Sequence, residues 1–480
     1  MRLRAGATLM PAAAIAGGAA LAVAAQQVGP LALLALLAPP AAVASALRPK
    51  VTMALLLVGV VVLESDDQTF LGELGNVTRF YGGTPLAGVG VVDLLVALLA
   101  AGVVLHALRR GRFVLPDPFT LPLLLLGVAI VLGLVQGAWS DPLGVDVANT
   151  LRRLLPLILL PFAAVNLIES RTDLDRGLQL VLALVAYKAA TGAVGWALGS
   201  GRELDGTVLT FYGSASNLLL MGFLLVLAAA LGARTSVPAA AWWLAPLAAA
   251  VLVLSFRRNF WIATILGVVL VVLVATGRQG RALLIPGGAL LAVALFLGFT
   301  AVSGSQSQSP LIQRAQSFAP SKLQMRSEDR YRLDEQRNVV AELSRHPLTG
   351  IGIGVPWTVR HPLALTFPNG RYYTHVVAFW YWLKLGVAGV VAYVLLVVAA
   401  VHTGLGLWRR AGPSRDRVLG LGAAATMLGL AVAETTGSFT GVDPRTTIIV
   451  AIMLGGLAAL RRLDRGSGSE PRPAAVAARA

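Results

Sequence analysis

Apolar runs long enough to cross a bilayer follow one another along most of this chain, and they leave little choice of fold class. They fall near 6–25, 31–47, 51–63, 91–108, 119–136, 151–168, 177–198, 214–232, 238–255, 259–277, 282–302, 376–401, 418–433 and 445–460. In lipid every backbone amide must bond within the protein, which a helix does on its own. About 20 apolar residues in helix suffice to span the hydrocarbon layer. The third run is short and suits a re-entrant segment. The chain is 56% hydrophobic and 13% charged, a balance foreign to soluble domains. The expectation is an all-α, polytopic transmembrane helical bundle of about 12–14 spans. The start, MRLRAGATLM, is basic and then apolar like a signal peptide, but further apolar runs follow at once, so a retained first helix is expected.

Charge fixes the orientation. Lys and Arg number 39 against 23 Asp and Glu, a net charge of +16. In a membrane chain this excess marks cytoplasmic connections rather than a nucleic-acid partner. Alternate connections carry Arg2 and Arg4, Arg48 and Lys50, Arg109 to Arg112, Arg171 and Arg176, Arg234, Arg278 and Arg281, and Arg409 to Arg417. All fall on one side, together with the C-terminal RRLDRGSGSEPRP tail, so both termini are predicted cytoplasmic. The chain has no cysteine and only 5 scattered histidines. Disulfides and thiolate chemistry are therefore excluded, and neither a metal nor another cofactor is expected.

The opposite side carries one long segment that turns abruptly polar at VSGSQSQS. A structureless loop of that length would be unusual in a compact protein. The predicted organisation is N-terminal transmembrane helices over 1–302, an extracytoplasmic loop subdomain with short helices over 303–374, C-terminal helices over 375–462, and a disordered cytoplasmic tail over 463–480. Within the loop, RYRLDEQRNVVAELSRHP sets Leu333, Gln336, Val340 and Leu343 on one stripe, which predicts an amphipathic helix lying on the membrane face.

A second class of arginine breaks the charge rule. Arg152, Arg153, Arg202, Arg257 and Arg258 fall at the external ends of spans, and the loop adds 9 cations against 5 carboxylates. Moving one arginine into hydrocarbon costs at least ~2.5 kcal/mol, so such residues invite a functional reading. Single ones could snorkel to headgroup phosphates. Gathered from several helices at one face, they suit a clamp for phosphate or diphosphate. Asp93 and Lys188, within spans, read as a structural pair or as partners of backbone groups.

After the arginine pair, the loop helix leads into HPLTGIGIG and then YYTHVVAFWYWLKLGVAGVV. That order resembles the O-antigen ligase and O-antigen polymerase superfamily of membrane glycosyltransferases. Arg258 stands at the family's signature arginine, Arg332 at the arginine of the loop helix, Gly350, Gly352 and Gly354 in its glycine turn, and His375 at its functional histidine. Asn217, in FYGSASNLLL, matches an earlier asparagine, with Arg202 upstream. Three positions depart: Val376 replaces the usual Asn, Lys384 stands where Glu precedes Leu-Gly, and Arg257 replaces a commoner Ser. Read without the family, GIGIG is a flexible turn, since it lacks the lysine of a phosphate loop.

The resemblance implies a metal-independent GT-C-like enzyme of the bacterial inner membrane. It would move a glycan from a polyprenyl-diphosphate carrier to the hydroxyl of a sugar or glycolipid acceptor at the outer face, as a ligase or a polymerase. His375 would be the catalytic base, because an imidazole exchanges protons near neutral pH. Arg258, Arg202, Arg332, Arg257, Arg152 and Arg153 would bind the substrate anion, and fixed cations stabilise a diphosphate leaving group as its charge grows. Membrane lipids are the other partners. The alternative is a flippase or transporter of lipid-linked oligosaccharides, for which paired half-repeats and helices broken at mid-membrane would be expected.

Overall fold

The computed structural model describes residues 39–63 except 41, 44 and 46, then 90–140, 145–197, 202–204, 207–209, 213–232, 236–276, 327–363, 365, 370–410 and 414–467. The runs near 6–25 and 282–302, the loop start at 303–326 and the tail beyond 467 lie outside the described residues. Among the described residues the regular structure is helical, apart from one short antiparallel strand pair. We label the helices α1 (Pro49–Val62), α2 (Val91–Arg110), α3 (Thr120–Ser140), α4 (Val145–Leu167), α5 (Arg171–Ala197), α6 (Gly213–Gly232), α7 (Ala241–Leu254), α8 (Arg258–Ala275), α9 (Ser327–Leu343), α10 (Val377–Arg409), α11 (Ser414–Ala433) and α12 (Pro444–Ser467). β1 (Arg202–Leu204) and β2 (Thr207–Leu209) form the strand pair, Arg202 opposite Leu209.

Among the described residues, nine helices are long and apolar enough to cross a membrane. The two short apolar helices, α1 and α7, have 14 residues each. The packing pattern explains the composition. On α3, Leu121, Leu124, Val128, Val131 and Val135 form a stripe that is more than half exposed, at the spacing of one helix face. An apolar face left open this way is the face that lipid covers. The opposite flank of α3 carries Gly133 and Gly137, where a Cβ would overlap the backbone of Lys384 and Ile353 respectively. The interior is built around α11, which packs on α6, α8 and α10, while α12 packs along α4.

Ion pairs sort the bundle into two faces. On one, Glu169 gathers Lys50, His106 and Arg110, Arg171 meets Asp416, Arg415 meets Asp175, and Arg410 meets Asp464. These are the connections that the charge rule assigns to a single side. The other face brings together the start of α2, the start of α4, the α7–α8 turn, α9, and the starts of α10 and α12. Asp93 does not pair with Lys188. It bonds Arg152 at 2.7 Å and the amide of Gly90 at 2.7 Å, because a carboxylate at a helix start is near the free amides there.

Candidate functional site

The arginine pair sits where the chain reverses between two helices. α7 ends at Leu254, Ser255 Oγ bonds the carbonyl of Leu252 at 2.7 Å, and Phe256 takes φ +53° with its side chain buried. A non-glycine residue in that region is strained. The turn therefore depends on packing of the Phe256 ring, and it delivers Arg257 to the cap position of α8 and Arg258 to its first turn.

The histidine stands at the start of α10. This helix is discontinuous: at Gly386 the backbone takes φ +68° and ψ −167°, a conformation essentially confined to glycine. The loop 348–354 wedges into the break. The amides of Ile351 and Gly352 bond the carbonyl of Leu383 at 2.8 and 3.1 Å, Val387 N–H bonds the carbonyl of Leu348 at 3.0 Å, and Ile353 N–H bonds the carbonyl of Gly133 on α3 at 2.8 Å. Irregular backbone within an apolar span survives only where protein satisfies it. GIGIG is thus a docked wedge rather than a flexible turn: Gly352 has φ +95°, and a Cβ there would overlap Gly137. Lys384 belongs to the same joint. It is 1% exposed, bonds the carbonyl of Val355, and lies 5.8 Å from the ring of Tyr372. This residue, which departs from the family pattern, anchors the loop through the Val355 carbonyl.

Val376 caps α10 without a side-chain bond. One free amide of that first turn is met from elsewhere, since Val377 N–H bonds the carbonyl of Glu434 at 3.1 Å. The third departure, Arg257, likewise caps α8 without a side-chain bond.

α9 joins the arginine to the histidine. Asp329 Oδ1 is 2.5 Å from Arg258 Nη2. Two turns on, Glu335 is fully buried and accepts three hydrogen bonds: from the His375 amide at 2.9 Å, from His375 Nδ1 at 3.0 Å and from the Tyr331 hydroxyl at 3.5 Å. Residues three apart on a helix are neighbours, so Arg332 lies on the same flank between Asp329 and Glu335. It is half-buried, and no ion pair ties it to another described residue. Tyr331 and Tyr373 meet the His375 ring edge-on, at centroid distances of 5.8 and 5.6 Å. Burial, with the Glu335 carboxylate beside it, pushes the Tyr331 phenol above its usual range; it therefore acts as a neutral donor near pH 7.

The buried face of α9 is polar, and most of its apolar stripe stays open. Tyr331, Glu335, Asn338 and Glu342 face inward with Val339 and Leu343, while Leu333 and Val340 are exposed. Val339, Leu343, Ile351, Trp357 and Leu383 form a small core beneath the helix. Asn338 receives the amides of Arg360 and His361 at 2.6 and 2.7 Å, which pins that strand of loop to α9. The His361 ring itself is exposed.

Arg153, half-buried on α4, lies within electrostatic range of Asp443 and Tyr373. Asp443 in turn bonds Arg445 at 3.0 Å and caps α12 through Thr446. Burial opposes ionisation of Asp443, but Arg445 and Thr446 outweigh it and hold the carboxyl below its usual range. Arg152 is engaged by Asp93, and Arg202 lies in β1. Asn217 is 1% exposed at the start of α6, its Oδ1 without a hydrogen bond among the described residues. Sequence reasoning named Arg258, Arg332 and His375 and missed Glu335, Asp329 and Arg445. The one signal for Glu335 was the i, i+4 spacing of Tyr331 and Glu335 on the loop helix. Among the described residues no cluster of His, Asp and Glu is arranged to hold a metal.

Residues 243–394, from α7 to the middle of α10, match the family model described as O-antigen ligase (Wzy_C). This stretch contains Arg257, Arg258, α9, the glycine wedge and His375, and it bears out the resemblance read from the motifs. No curated protein matches the chain.

Proposed function

We propose that this O-antigen-ligase-like membrane protein transfers a glycan from a polyprenyl-diphosphate carrier to the hydroxyl of a sugar or glycolipid, at the extracytoplasmic face of a bacterial inner membrane. The observation that carries the proposal is the flank of α9. One carboxylate there holds Arg258, another holds His375, and Arg332 lies between them. A cationic site for an anion and a base for a hydroxyl are thereby set side by side on one rigid element. That pairing is what this displacement requires, since the diphosphate leaves with a growing negative charge while the acceptor oxygen gives up a proton.

In this reading Arg258 and Arg332 receive the diphosphate, with Arg153, Arg152, Arg257 and Arg202 as further cations along its approach. A bidentate guanidinium contact suits each phosphate. His375 takes the proton from the acceptor hydroxyl, whose oxygen then bonds the anomeric carbon as the carbon–oxygen bond to the diphosphate breaks. The basic face of the bundle is cytoplasmic, as are both termini, and the loop subdomain around α9 is outside. Incubating purified protein with an undecaprenyl-diphosphate glycan and candidate acceptors tests the proposal directly. Release of undecaprenyl diphosphate that depends on acceptor supports it. Movement of intact lipid-linked glycan between leaflets, without cleavage, would favour a transporter instead.

A further inference from the structure

We propose that Glu335 is a positioning residue for His375, holding the ring in the tautomer that carries its proton on Nδ1 so that Nε2 is the basic nitrogen. This rests on the reading of His375 as the base. The geometry is specific. Both carboxylate oxygens lie within 3.1 Å of Nδ1, at 3.1 and 3.0 Å, so the ring nitrogen meets the carboxylate between its two acceptors. The same carboxylate takes the His375 main-chain amide at 2.9 Å, which fixes the backbone that bears the ring. Its remaining contact is the Tyr331 hydroxyl. Glu335 is fully buried, whereas the His375 side chain keeps 24% of its surface open.

A carboxylate accepts hydrogen bonds and does not donate them, so a ring nitrogen facing it must bear the proton. In the neutral imidazole the other nitrogen then has its lone pair free. Nε2 is the ring nitrogen that Glu335 does not hold, and the exposed part of the ring is where an acceptor hydroxyl could reach it. During transfer the hydroxyl proton passes to Nε2. The imidazolium that forms has both protons placed, one against Glu335, and the Nε2 proton later returns to solvent. The edge-on rings of Tyr331 and Tyr373 restrict rotation of the imidazole between these steps. The arrangement is the orienting logic of a carboxylate behind a catalytic histidine, in which a wrong tautomer alone can cost about 10⁴ in rate.

Two measurements test the proposal. Glu335→Gln keeps the shape of the side chain but can present an amide N–H to Nδ1. It should lower kcat by ~10²-fold or more while changing KM for the lipid-linked donor little, because the donor's anion is met by arginines. Unchanged kcat in the Gln variant would overturn the proposal. Histidine-¹⁵N spectra of the unsubstituted protein, with the His375→Ala spectrum subtracted to assign the signal, should give a protonated Nδ1 and an unprotonated Nε2. The opposite tautomer would overturn the proposal even if a substitution prevented folding. If His375→Ala left transfer intact, the base reading would fail instead, and the tautomer would still report on Glu335.

Discussion

Arg258 on α8 and Asp329 on α9 form an ion pair at 2.5 Å, with side-chain exposures of 13% and 10%. The second oxygen of Asp329 is buried without a hydrogen bond among the described residues. The pair therefore ties the loop subdomain to the membrane bundle at the point where an anionic substrate would meet Arg258. A diphosphate offers more charge and more acceptor oxygens than one carboxylate, so it can share or take over the guanidinium.

Replacement of Arg258 should be severe for this reason. Arg258→Ala is expected to lower kcat/KM by ~10²-fold or more, the usual cost of removing one fixed transition-state donor. Arg258→Lys should restore only part of this, because an ammonium lacks the planar fork. The assay is turnover by protein shown to be inserted in the membrane. Full activity in the inserted Ala variant would reduce Arg258 to an anchor for Asp329.

His375→Ala should leave insertion and lipid-diphosphate binding nearly intact and lower transfer by ~10²–10⁴-fold, the share commonly carried by acid–base catalysis. His361 is the matched control. It lies in the same subdomain, its backbone is pinned by Asn338, and its ring is exposed. His361→Ala should be close to neutral in a kinetic assay. The reverse pattern would move the base to His361.

Much of this arrangement could be read from the sequence, for reasons visible in particular residues. Helices in lipid must be long and apolar, so α2 to α6, α8 and α10 to α12 stand out as runs, and Arg258 and His375 stand out because little else polar interrupts those runs. Glu335 was not legible in the same way. It sits among the alternating charges of the loop helix, and only tertiary packing decides that Glu335 turns inward while Arg337 turns outward. The inward face of α9 is polar because it packs against the His375 backbone and the Asn338-bound loop, which leaves Leu333 and Val340 on the open face. Lys384 stood out in the sequence only as a departure from the family pattern, and its bond to the Val355 carbonyl beside the break at Gly386 is set by tertiary packing.

The wedge should be sensitive to a single methyl group. A Cβ at Gly386 would overlap the carbonyl of Leu348, and its φ of +68° already excludes most side chains. Gly386→Ala should destabilise the protein by ~1–3 kcal/mol, the usual cost of such strain. Thermal unfolding of the detergent-solubilised protein measures this. Transfer should fall as well, since undocking residues 348–354 loosens α9 and hence Glu335. An unchanged thermal midpoint would mean that the break is not held by the loop.

Orientation can be tested by single cysteines in the natural cysteine-free background. Leu348 is 75% exposed on the loop subdomain, and Arg112 is exposed just beyond α2 on the basic face. A membrane-impermeant thiol reagent added to intact cells should label Leu348→Cys and spare Arg112→Cys until the membrane is opened. Labelling in the opposite order would invert the topology and place α9 inside.

The last prediction concerns pH and a carboxyl buried beneath the histidine. Glu434 follows α11, is 1% exposed, accepts the Thr440 amide at 2.5 Å and is bonded by the Tyr393 hydroxyl. Tyr381 stacks on Tyr393 at 5.1 Å, so the groups facing the carboxyl from α10 are two phenols and no cation. Burial pushes the Glu434 carboxyl up to about 7, although the bonds from Tyr393 and Thr440 pull the other way. A carboxyl whose folded value lies above its unfolded value of 4.5 contributes stability in full below the unfolded value, and loses it as pH rises toward about 7. Across that window the folded state binds more protons, so the stability of the protein should decline relative to a Glu434→Gln variant. Thermal midpoints of both proteins, from about pH 5 to about pH 8, supply the comparison. Parallel curves would mean that Glu434 carries no excess proton in the fold. A widening gap would matter beyond stability, because the carbonyl of Glu434 receives the first amide of α10: deprotonation would strain the same loop that seats the helix bearing His375 at its head.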